Sequence, residues 1–362
     1  MTRLQQLFLE QGQSPWLDNL RRGWITSGEL EGWVAQGVRG LTSNPSIFTN
    51  AILGSEDYDE EFSDAVGAGM GVESAYWKLV SSDIRAALEI LRPVYDQSNG
   101  VDGFASVEVD PRLARDSAGT SQAARRLHEE VDAPNLYVKI PGTAEGLLPI
   151  RTMIAEHRSI NVTLIFSLQR YAEVMETYIS GLEEAEGDLS DVSSVASFFV
   201  SRLDTEVDRR LDVIGTASAR ELKGKAALAS GRLAYELFQR TFSGPRWEAL
   251  ERRGARVQRP LWASTSTKNP DYPDTLYVDG LIGPDTVNTL PDGTMAAFED
   301  HGTVARTIDA GVGEARAVFA GLARLGVDVD DVAQQLEAEG VASFEKSFDE
   351  LLEALAAKAA PN

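Results

Sequence analysis

The chain has 362 residues, of which 43% are hydrophobic and 25% are charged, so its composition is that of an ordinary globular protein. Lys and Arg number 34 against 56 for Asp and Glu, and the resulting net charge of −22 disfavours binding to nucleic acid or to anionic membranes. Because the chain has no cysteine, it has no disulfide, no thiolate nucleophile and no cysteine-bound zinc.

The sequence has no recognisable targeting segment, membrane span or metal motif. The first residues, MTRLQQLFLEQGQ, lack the apolar core of a signal peptide, and no apolar run approaches the roughly 20 residues of a membrane span. The three histidines, His128, His157 and His301, are scattered without the spacing of metal ligands. We therefore expect a cytoplasmic protein with no membrane segment and no metal site.

Short runs of β-branched or aromatic residues predict strands, and they alternate with longer helix-like stretches. In chain order the runs are 15–18, 37–43, 103–109, 135–140, 160–166, 194–200, 259–265 and 275–282, of which the first is weak and the last irregular. Apolar residues at three- and four-residue spacing predict helices at 82–91, 217–238 and 304–325, and an amphipathic C-terminal helix at about 343–360.

The order of these elements predicts a fold of the α/β class. Strands that alternate with helices favour parallel pairing with helical crossovers. Eight such units predict a (β/α)8 TIM barrel, with a doubly wound open sheet as the alternative. No linker rich in Pro, Gly or Ser divides the chain. We therefore expect residues 1–362 to form a single domain, a barrel with extra helices.

A lysine interrupts the apolar strand predicted at 135–140, although lysine is seldom buried without a partner. Side chains alternate across a strand, so Tyr137 and Lys139 share one face. Lys139 lies at the C-terminal end of its strand, two residues before Pro141, where (β/α)8 enzymes place catalytic groups. A lysine that extends into solvent at the end of the strand is the alternative.

Neighbouring candidate strands also bring polar side chains towards this rim. In chain order, these residues are Asp18, Asn44, Glu108, Lys139, and the pair Asn161 and Thr163. Asn44 could instead cap a helix that begins at Pro45, and Asp18 could be a solvated loop acid. Five successive strands with such a residue indicate one site rather than five coincidences.

A lysine beside carboxylates suits Schiff-base chemistry. Its amine adds to a ketone and loses water, and the iminium accepts electrons from an adjacent carbon–carbon bond. The addition needs a neutral amine, which burial favours and nearby carboxylates oppose, and the sequence leaves this balance open. Because protons must move at several steps, a carboxyl group near the lysine has a role.

Five motifs of the chain resemble those of the transaldolase family, in the long form seen in actinobacteria. They are GLTSNPSIF at 40–48, LYVKIPGTAEG at 136–146, INVTLIFS at 160–167, SFFVSRLD at 197–204 and STKNP at 266–270. With Asp18 they fall in order over most of the chain. Each motif alone is weak, and the set is highly specific.

This resemblance implies a (β/α)8 barrel that uses neither cofactor nor metal and acts on sugar phosphates. It implies transfer of a dihydroxyacetone unit from sedoheptulose 7-phosphate to glyceraldehyde 3-phosphate, which yields erythrose 4-phosphate and fructose 6-phosphate in the non-oxidative pentose phosphate pathway. The oligomeric state is left open, with a homodimer as one alternative. Because the chain carries a net charge of −22, binding of an anionic substrate requires cationic residues at the site.

The matching positions imply a role for each site residue. Lys139 would form the Schiff base, and Glu108 would act through a water as acid and base. Asp18 would handle the proton of the hydroxyl next to the broken bond, and Thr163 would help to hold the water. Substrate binding is implied for Asn44 and Asn161 at the dihydroxyacetone hydroxyls, for Ser197 and Phe199 on the sixth strand, and for Arg202, Ser266 and Lys268 at the phosphate.

Two positions depart from the family pattern. Lys268 stands where the family has an arginine, so the charge is kept but the bidentate fork is lost. Phe198 replaces a common proline. For Arg202 the alternative to phosphate binding is a surface salt bridge, for example with Asp204.

Three other functions fit part of this pattern. A fructose 6-phosphate aldolase would release free dihydroxyacetone, but such aldolases are shorter and lack the carboxylate at the position of Glu108. A non-catalytic sugar-phosphate binder would not need Lys139, Glu108 and Asp18 together. A pyridoxal-phosphate enzyme also uses a lysine Schiff base and would be yellow, and we expect no colour.

Overall fold

The computed structural model describes residues 1–359 and shows a closed barrel of parallel strands. Within these residues, eight strands form a ring in which each pairs with the next and the last pairs with the first. They are β1 (Gln13–Leu17), β2 (Gly40–Thr42), β3 (Phe104–Glu108), β4 (Leu136–Pro141), β5 (Ile160–Ile165), β6 (Ser194–Phe199), β7 (Arg259–Ala263) and β8 (Thr286–Leu290). The predicted (β/α)8 TIM barrel is confirmed.

Helices connect the strands and surround the barrel. In the described part of the chain they are α1 (Arg3–Gln11), α2 (Arg22–Ser27), α3 (Glu29–Gln36), α4 (Pro45–Leu53), α5 (Asp59–Gly67), α6 (Val72–Gln97), α7 (Ser117–Val131), α8 (Leu147–Ala155), α9 (Leu168–Glu184), α10 (Ser201–Ile214), α11 (Ala217–Leu222), α12 (Ala226–Thr241), α13 (Pro245–Glu251), α14 (Leu276–Asp279), α15 (Asp292–His301), α16 (Val312–Arg324) and α17 (Val329–Ala359). A 3₁₀ turn, Pro111–Leu113, follows β3. None of the helices within residues 1–359 is both long and apolar enough to cross a membrane.

Seven of the predicted strand runs overlap observed strands, and the run at 275–282 was wrong. Its residues form α14, because a short apolar run fits a buried helical turn as well as it fits a strand. The eighth strand, β8, follows this helix and was missed. Three of its five residues, Thr286, Asn288 and Thr289, are polar although they are buried, so the strand lacks the apolar signal.

Two of the predicted helices are interrupted at glycines. The stretch 217–238 is divided into α11 and α12 near Gly224, whose φ of 68° lies in the left-handed region. The stretch 304–325 is helical only from Val312 to Arg324, directly after Gly311, whose φ is 71°. A left-handed residue cannot continue an α-helix, and glycine adopts this conformation without a steric penalty.

The C-terminal helix is longer than the sequence indicated. Predicted at about 343–360, it begins at Val329, and Ala360 lies outside the described residues. It packs against α4, α6 and α10. The hydroxyl groups of Ser46 and Ser347 are 2.8 Å apart and form a hydrogen bond, which attaches α17 to the first turn of α4, next to the C-terminal end of β2.

A buried ion network occupies the N-terminal end of the barrel. Asp102 Oδ2 accepts hydrogen bonds from Arg39 (2.7 Å) and Ser14 (2.8 Å), and Oδ1 accepts one from Arg259 (2.9 Å). Burial alone would raise the pKa of Asp102, but the two guanidinium groups hold this pKa below its usual range. Because this end is filled, a ligand site within the barrel has to open at the C-terminal rim.

Candidate active site

A cavity of about 170 Å³ lies at the C-terminal ends of the strands. It is lined by nine of the predicted site residues, namely Asp18, Asn44, Lys139, Thr163, Ser197, Phe199, Arg202, Ser266 and Lys268. The other two, Glu108 and Asn161, are buried behind the lining, where they contact Lys139 and Ser197 respectively. The fold therefore brings together the polar residues that the sequence assigned to one rim.

Lys139 projects from β4 into the barrel interior, and its side chain is only 5% exposed. Its Nζ donates a hydrogen bond to the carbonyl oxygen of Ser43 (2.9 Å) and lies 2.9 Å from Glu108 Oε2. The register of the sheet explains this ion pair, because Glu108 on β3 lies directly opposite Lys139 on β4. The alternative of a lysine extended into solvent was wrong.

The carboxyl group of Glu108 is arranged for proton exchange. Burial raises its pKa, and the ammonium of Lys139 only partly opposes this rise. Among the described residues, neither oxygen of Glu108 nor Oγ1 of Thr163 has a hydrogen-bond partner of good geometry. Since buried polar atoms are rarely left unbonded, these atoms are suited to hold a water molecule or a substrate hydroxyl.

Asp18 follows β1 and is held by threonines of two neighbouring strands. Thr42 Oγ1 donates a hydrogen bond to Asp18 Oδ1 (2.7 Å), and Thr289 Oγ1 lies 2.7 Å from Thr42 Oγ1. Because Thr42 has only one proton to donate, Thr289 must be the donor in the second bond. Burial raises the pKa of Asp18, although the hydrogen bond from Thr42 and the charge of Lys139 oppose this rise.

Asn44 has the position that both of its predicted roles require. Its Oδ1 accepts a hydrogen bond from the backbone N–H of Ile47 (3.0 Å), so it caps α4, which begins at Pro45. It also lines the cavity. The cap uses the carbonyl oxygen of the side chain, which leaves the amide NH₂ group for a ligand.

Asn161 and Ser197 belong to a chain of hydrogen bonds inside the barrel. Ser197 Oγ donates to Asn161 Oδ1 (2.7 Å), and Asn161 Nδ2 donates to Ser106 Oγ (3.1 Å). These bonds fix which way the amide of Asn161 points. Ser197 lines the cavity, whereas Asn161 is fully buried. Asn161 on β5 lies directly opposite Lys139 on β4.

The backbone is strained at two positions beside the cavity. Leu164 has a φ of 59°, and the pairing of β5 with β6 shifts register between Val162 and Ile165. Ser264, which lines the cavity, has a φ of 56°. Such conformations cost about 1–3 kcal/mol for residues other than glycine and concentrate at functional sites. The irregularity in β5 directly follows Thr163, whose hydroxyl faces the cavity.

Two cations line the cavity without ion-pair partners among residues 1–359. Arg202 lies in the first turn of α10, with its guanidinium 5.3 Å from the centre of the Phe199 ring. Burial lowers the pKa of Arg202, and Glu339 weakly opposes this effect. Lys268 Nζ donates a hydrogen bond to Ser266 Oγ (2.6 Å). The cavity is therefore locally cationic in a protein of net charge −22.

The alternative of a salt bridge between Arg202 and Asp204 was wrong. Asp204 instead accepts hydrogen bonds from the backbone N–H of Ala227 (2.8 Å) and from the hydroxyl of Tyr277 (3.0 Å). A partly buried guanidinium without a counter-ion is unfavourable unless it binds an anion. Arg202 is therefore suited to an anionic ligand group.

Aromatic side chains form the apolar side of the cavity. Phe199, at the end of β6, is 7% exposed, and its ring centre lies 5.1 Å from that of Phe166. Phe344, from α17, also lines the cavity, and the sequence analysis missed it. Thr42 and Thr289 were missed as well. The two-residue alternation from Asn44 could have indicated Thr42, but no local signal marks Phe344 or Thr289.

Residues 15–355 match the family described as transaldolase/fructose-6-phosphate aldolase, so nearly the whole barrel and most of α17 are covered. The match includes all eleven residues that the sequence analysis assigned to the site.

Proteins of high similarity are named transaldolases. The chain is 51% identical over 352 residues to "Transaldolase 1" of Streptomyces avermitilis, which covers 96% of this chain and 93% of that protein. It is 52% identical over 349 residues to "Transaldolase" of Parafrankia sp., with 95% of each chain covered. It is also 50% identical over 358 residues to "Transaldolase" of Thermobifida fusca, which covers 98% of this chain and 97% of that one.

Proposed function

The chain belongs to the transaldolase/fructose-6-phosphate aldolase family, and we propose that it acts as a transaldolase, the transferase of that family. It transfers a dihydroxyacetone unit from sedoheptulose 7-phosphate to glyceraldehyde 3-phosphate, which produces erythrose 4-phosphate and fructose 6-phosphate. The observation that carries this proposal is the buried pair of Lys139 and Glu108, placed beside Asp18 at a cationic cavity. Its place would be the non-oxidative pentose phosphate pathway of the cytoplasm.

The first step is attack of Lys139 on the ketone carbon of the donor. The amine must first lose a proton, and Glu108 Oε2, 2.9 Å from Nζ, is placed to accept it. Both side chains are almost fully buried, so bulk water does not separate them. The carbinolamine then loses water to become the iminium, and Glu108, with its raised pKa, returns the proton.

A water molecule shared by Glu108 and Thr163 would carry these protons. Both oxygens of Glu108 and the hydroxyl of Thr163 are buried and have no hydrogen-bond partner of good geometry among the described residues. A water bonded to them would satisfy these atoms and lie beside the imine nitrogen. In the last step the same water, activated by Glu108, would add to the iminium and release the product.

Cleavage of the carbon–carbon bond depends on Asp18. Its carboxylate takes the proton of the hydroxyl next to the bond, and the electron pair of the bond moves to the iminium, which becomes an enamine. Thr42 occupies Oδ1 of Asp18 and leaves Oδ2 for the substrate. Addition of the enamine to the acceptor aldehyde reverses these movements. Because the iminium is the electron acceptor, this chemistry needs neither a metal nor a cofactor.

The remaining residues would hold the two ends of the sugar phosphate. Asn44 has a free NH₂ group, and Asn161 has one N–H beyond its bond to Ser106, so both are assigned to the dihydroxyacetone hydroxyls. Arg202 and Lys268 would bind the phosphate, because they are cations without ion-pair partners in the described structure. Ser266, which accepts a hydrogen bond from Lys268, would help to orient it.

Fructose 6-phosphate aldolase activity is the nearest alternative within the family. It uses the same Schiff base but releases dihydroxyacetone to water instead of transferring it. The buried carboxylate of Glu108 and the length of 362 residues favour transfer. A non-catalytic binder is less consistent with the site, because a buried lysine–glutamate pair is costly unless it has a chemical role.

One assay tests the proposal. Purified protein is mixed with fructose 6-phosphate and erythrose 4-phosphate, and both glyceraldehyde 3-phosphate and free dihydroxyacetone are measured. Transaldolase activity predicts glyceraldehyde 3-phosphate whose formation depends on erythrose 4-phosphate, with little free dihydroxyacetone. Equal release of the two products without the acceptor would instead identify an aldolase. No product under any condition would support a binder.

A further inference from the structure

Two tyrosines attach the segment after β7 to helix α10. This segment, residues 264–279, ends in α14, and we call it the β7 loop. The hydroxyl of Tyr272 donates a hydrogen bond to Asp208 Oδ2 (2.6 Å), and that of Tyr277 donates one to Asp204 Oδ2 (3.0 Å). Both carboxylates are buried, with exposures of 8% and 1%. A buried carboxylate needs donors, and the two hydroxyls supply them.

The carboxylates of Asp204 and Asp208 are each held in place by a second hydrogen bond. They are four residues apart on α10 and so share one face of the helix. Their other oxygens accept hydrogen bonds from backbone N–H groups in the connection between α11 and α12 and in the first turn of α12. Gly224 donates to Asp208 Oδ1 (2.9 Å), and Ala227 donates to Asp204 Oδ1 (2.8 Å). The carboxylates therefore cannot turn away from the tyrosines without losing further bonds.

Both of the elements joined in this way contribute a cation to the cavity. Arg202 lies at the beginning of α10, two residues before Asp204, and Lys268 lies in the β7 loop. Lys268 is exposed, and its observed side-chain bond, to Ser266, is made within the same loop. Its own contacts therefore do not fix its distance from Arg202, whereas the tyrosine bonds join the two elements directly.

We propose that Tyr272 and Tyr277 are positioning residues, which hold the cations of α10 and the β7 loop at the separation needed to bind the phosphate of a sugar phosphate. This inference rests on the proposed function, because it takes the substrate phosphate as the bound anion. Without a tyrosine bond the loop populates other conformations. The apparent affinity for phosphate is then the intrinsic affinity multiplied by the fraction of molecules that keep the binding-competent conformation.

The test is the variant Tyr272→Phe, which removes the hydroxyl and keeps the ring that packs on Gly224. We expect the KM for fructose 6-phosphate and the Kd for inorganic phosphate, measured by titration calorimetry, to rise about three- to tenfold. We expect kcat to change less than about twofold, because phosphate is bound in ground and transition states alike. Tyr277→Phe should act in the same direction.

Tyr235→Phe is the matched control. The Tyr235 hydroxyl donates to the carbonyl oxygen of Pro284 (3.2 Å), before β8 and away from the cavity, so its loss should leave KM and the phosphate Kd unchanged. The inference is overturned if Tyr272→Phe and Tyr277→Phe behave like this control. It is also overturned if they lower kcat/KM equally for fructose and fructose 6-phosphate. If the unaltered protein does not transfer dihydroxyacetone, the proposed function fails, and the phosphate titration still decides the role of the tyrosines.

Discussion

Replacing Arg202 by alanine is expected to weaken binding of sugar phosphates while leaving the fold intact. The guanidinium lines the cavity, and within residues 1–359 it makes no ion pair. Its observed contact is with the ring of Phe199, at 5.3 Å. The fold therefore gains little from this charge, and an unpaired, partly buried cation is itself unfavourable. The free energy of unfolding should accordingly stay the same or rise in Arg202→Ala.

The size of the effect follows from the bond that is lost. A hydrogen bond to a charged group contributes about 1.5–3 kcal/mol, and each 1.4 kcal/mol corresponds to a factor of about ten. We therefore expect the KM for fructose 6-phosphate to rise roughly 10- to 150-fold in Arg202→Ala. Because the phosphate is bound equally in ground and transition states, kcat should change much less. Unphosphorylated fructose, which lacks the anion, should show an unchanged kcat/KM.

The assay compares both sugars as donors to erythrose 4-phosphate, together with thermal unfolding. Arg210→Ala is the control, because Arg210 also belongs to α10 but binds Glu206 and Asp331. It should leave the KM unchanged. Equal losses on fructose and fructose 6-phosphate, together with a lower Tm, would refute the reasoning, since they would show that Arg202 supports the fold.

Three further substitutions test separate parts of the account. Glu108→Gln keeps the shape but removes the acid and base, so kcat should fall by about 10²–10⁴ in steady-state assays while KM changes much less; near-full activity would contradict the role. Burial raises the pKa of Asp204 from 3.8 to about 6, so the folded protein binds this proton more tightly than the unfolded chain does. The stability that protonation of Asp204 adds is complete below about pH 4 and is lost as the pH rises through 6. In denaturant titrations, Asp204→Asn should therefore gain about 3 kcal/mol relative to the unaltered protein between pH 4 and pH 7, and a constant difference would contradict the shift. Asp102→Asn leaves Arg39 and Arg259 without their buried counter-ion and should cost about 3–5 kcal/mol of stability, whereas a small loss would show that water replaces the carboxylate.

The residues proposed to be catalytic stand out in the sequence because they interrupt buried strands. Parallel strands of a barrel are covered on both faces and are therefore expected to be apolar. Lys139 and Glu108 depart from this expectation, and both lie near the C-terminal ends of their strands. Strand alternation placed Lys139 on the same face as Tyr137, and in the structure the register of the sheet brings Lys139 and Glu108 together.

The missed residues lack such a contrast with their surroundings. Thr42 and Thr289 are small and β-branched, so they are ordinary strand residues in any sequence. Their importance arises from their contacts, since Thr42 donates to Asp18 and Thr289 bonds to Thr42. The strand that contains Thr289 was itself missed. Contacts between residues that are distant in sequence decide these roles, and local periodicity does not reveal them.

Two other features arise from tertiary packing. The left-handed φ of Leu164 occurs within a strand whose sequence is otherwise typical of β structure. Phe344 reaches the cavity because α17 packs back onto α4. The sequence indicated an amphipathic helix there, but its period does not specify which part of the barrel the apolar face contacts.

Trapping of the covalent intermediate tests the central claim most directly. The protein is incubated with fructose 6-phosphate and borohydride, which reduces an iminium to a stable secondary amine, and the modified residue is located by peptide mass spectrometry. We expect one reduced dihydroxyacetone adduct, on Lys139, and none in Lys139→Arg. An adduct on Lys268 or Lys223 instead of Lys139, or turnover without any adduct on Lys139, would contradict it.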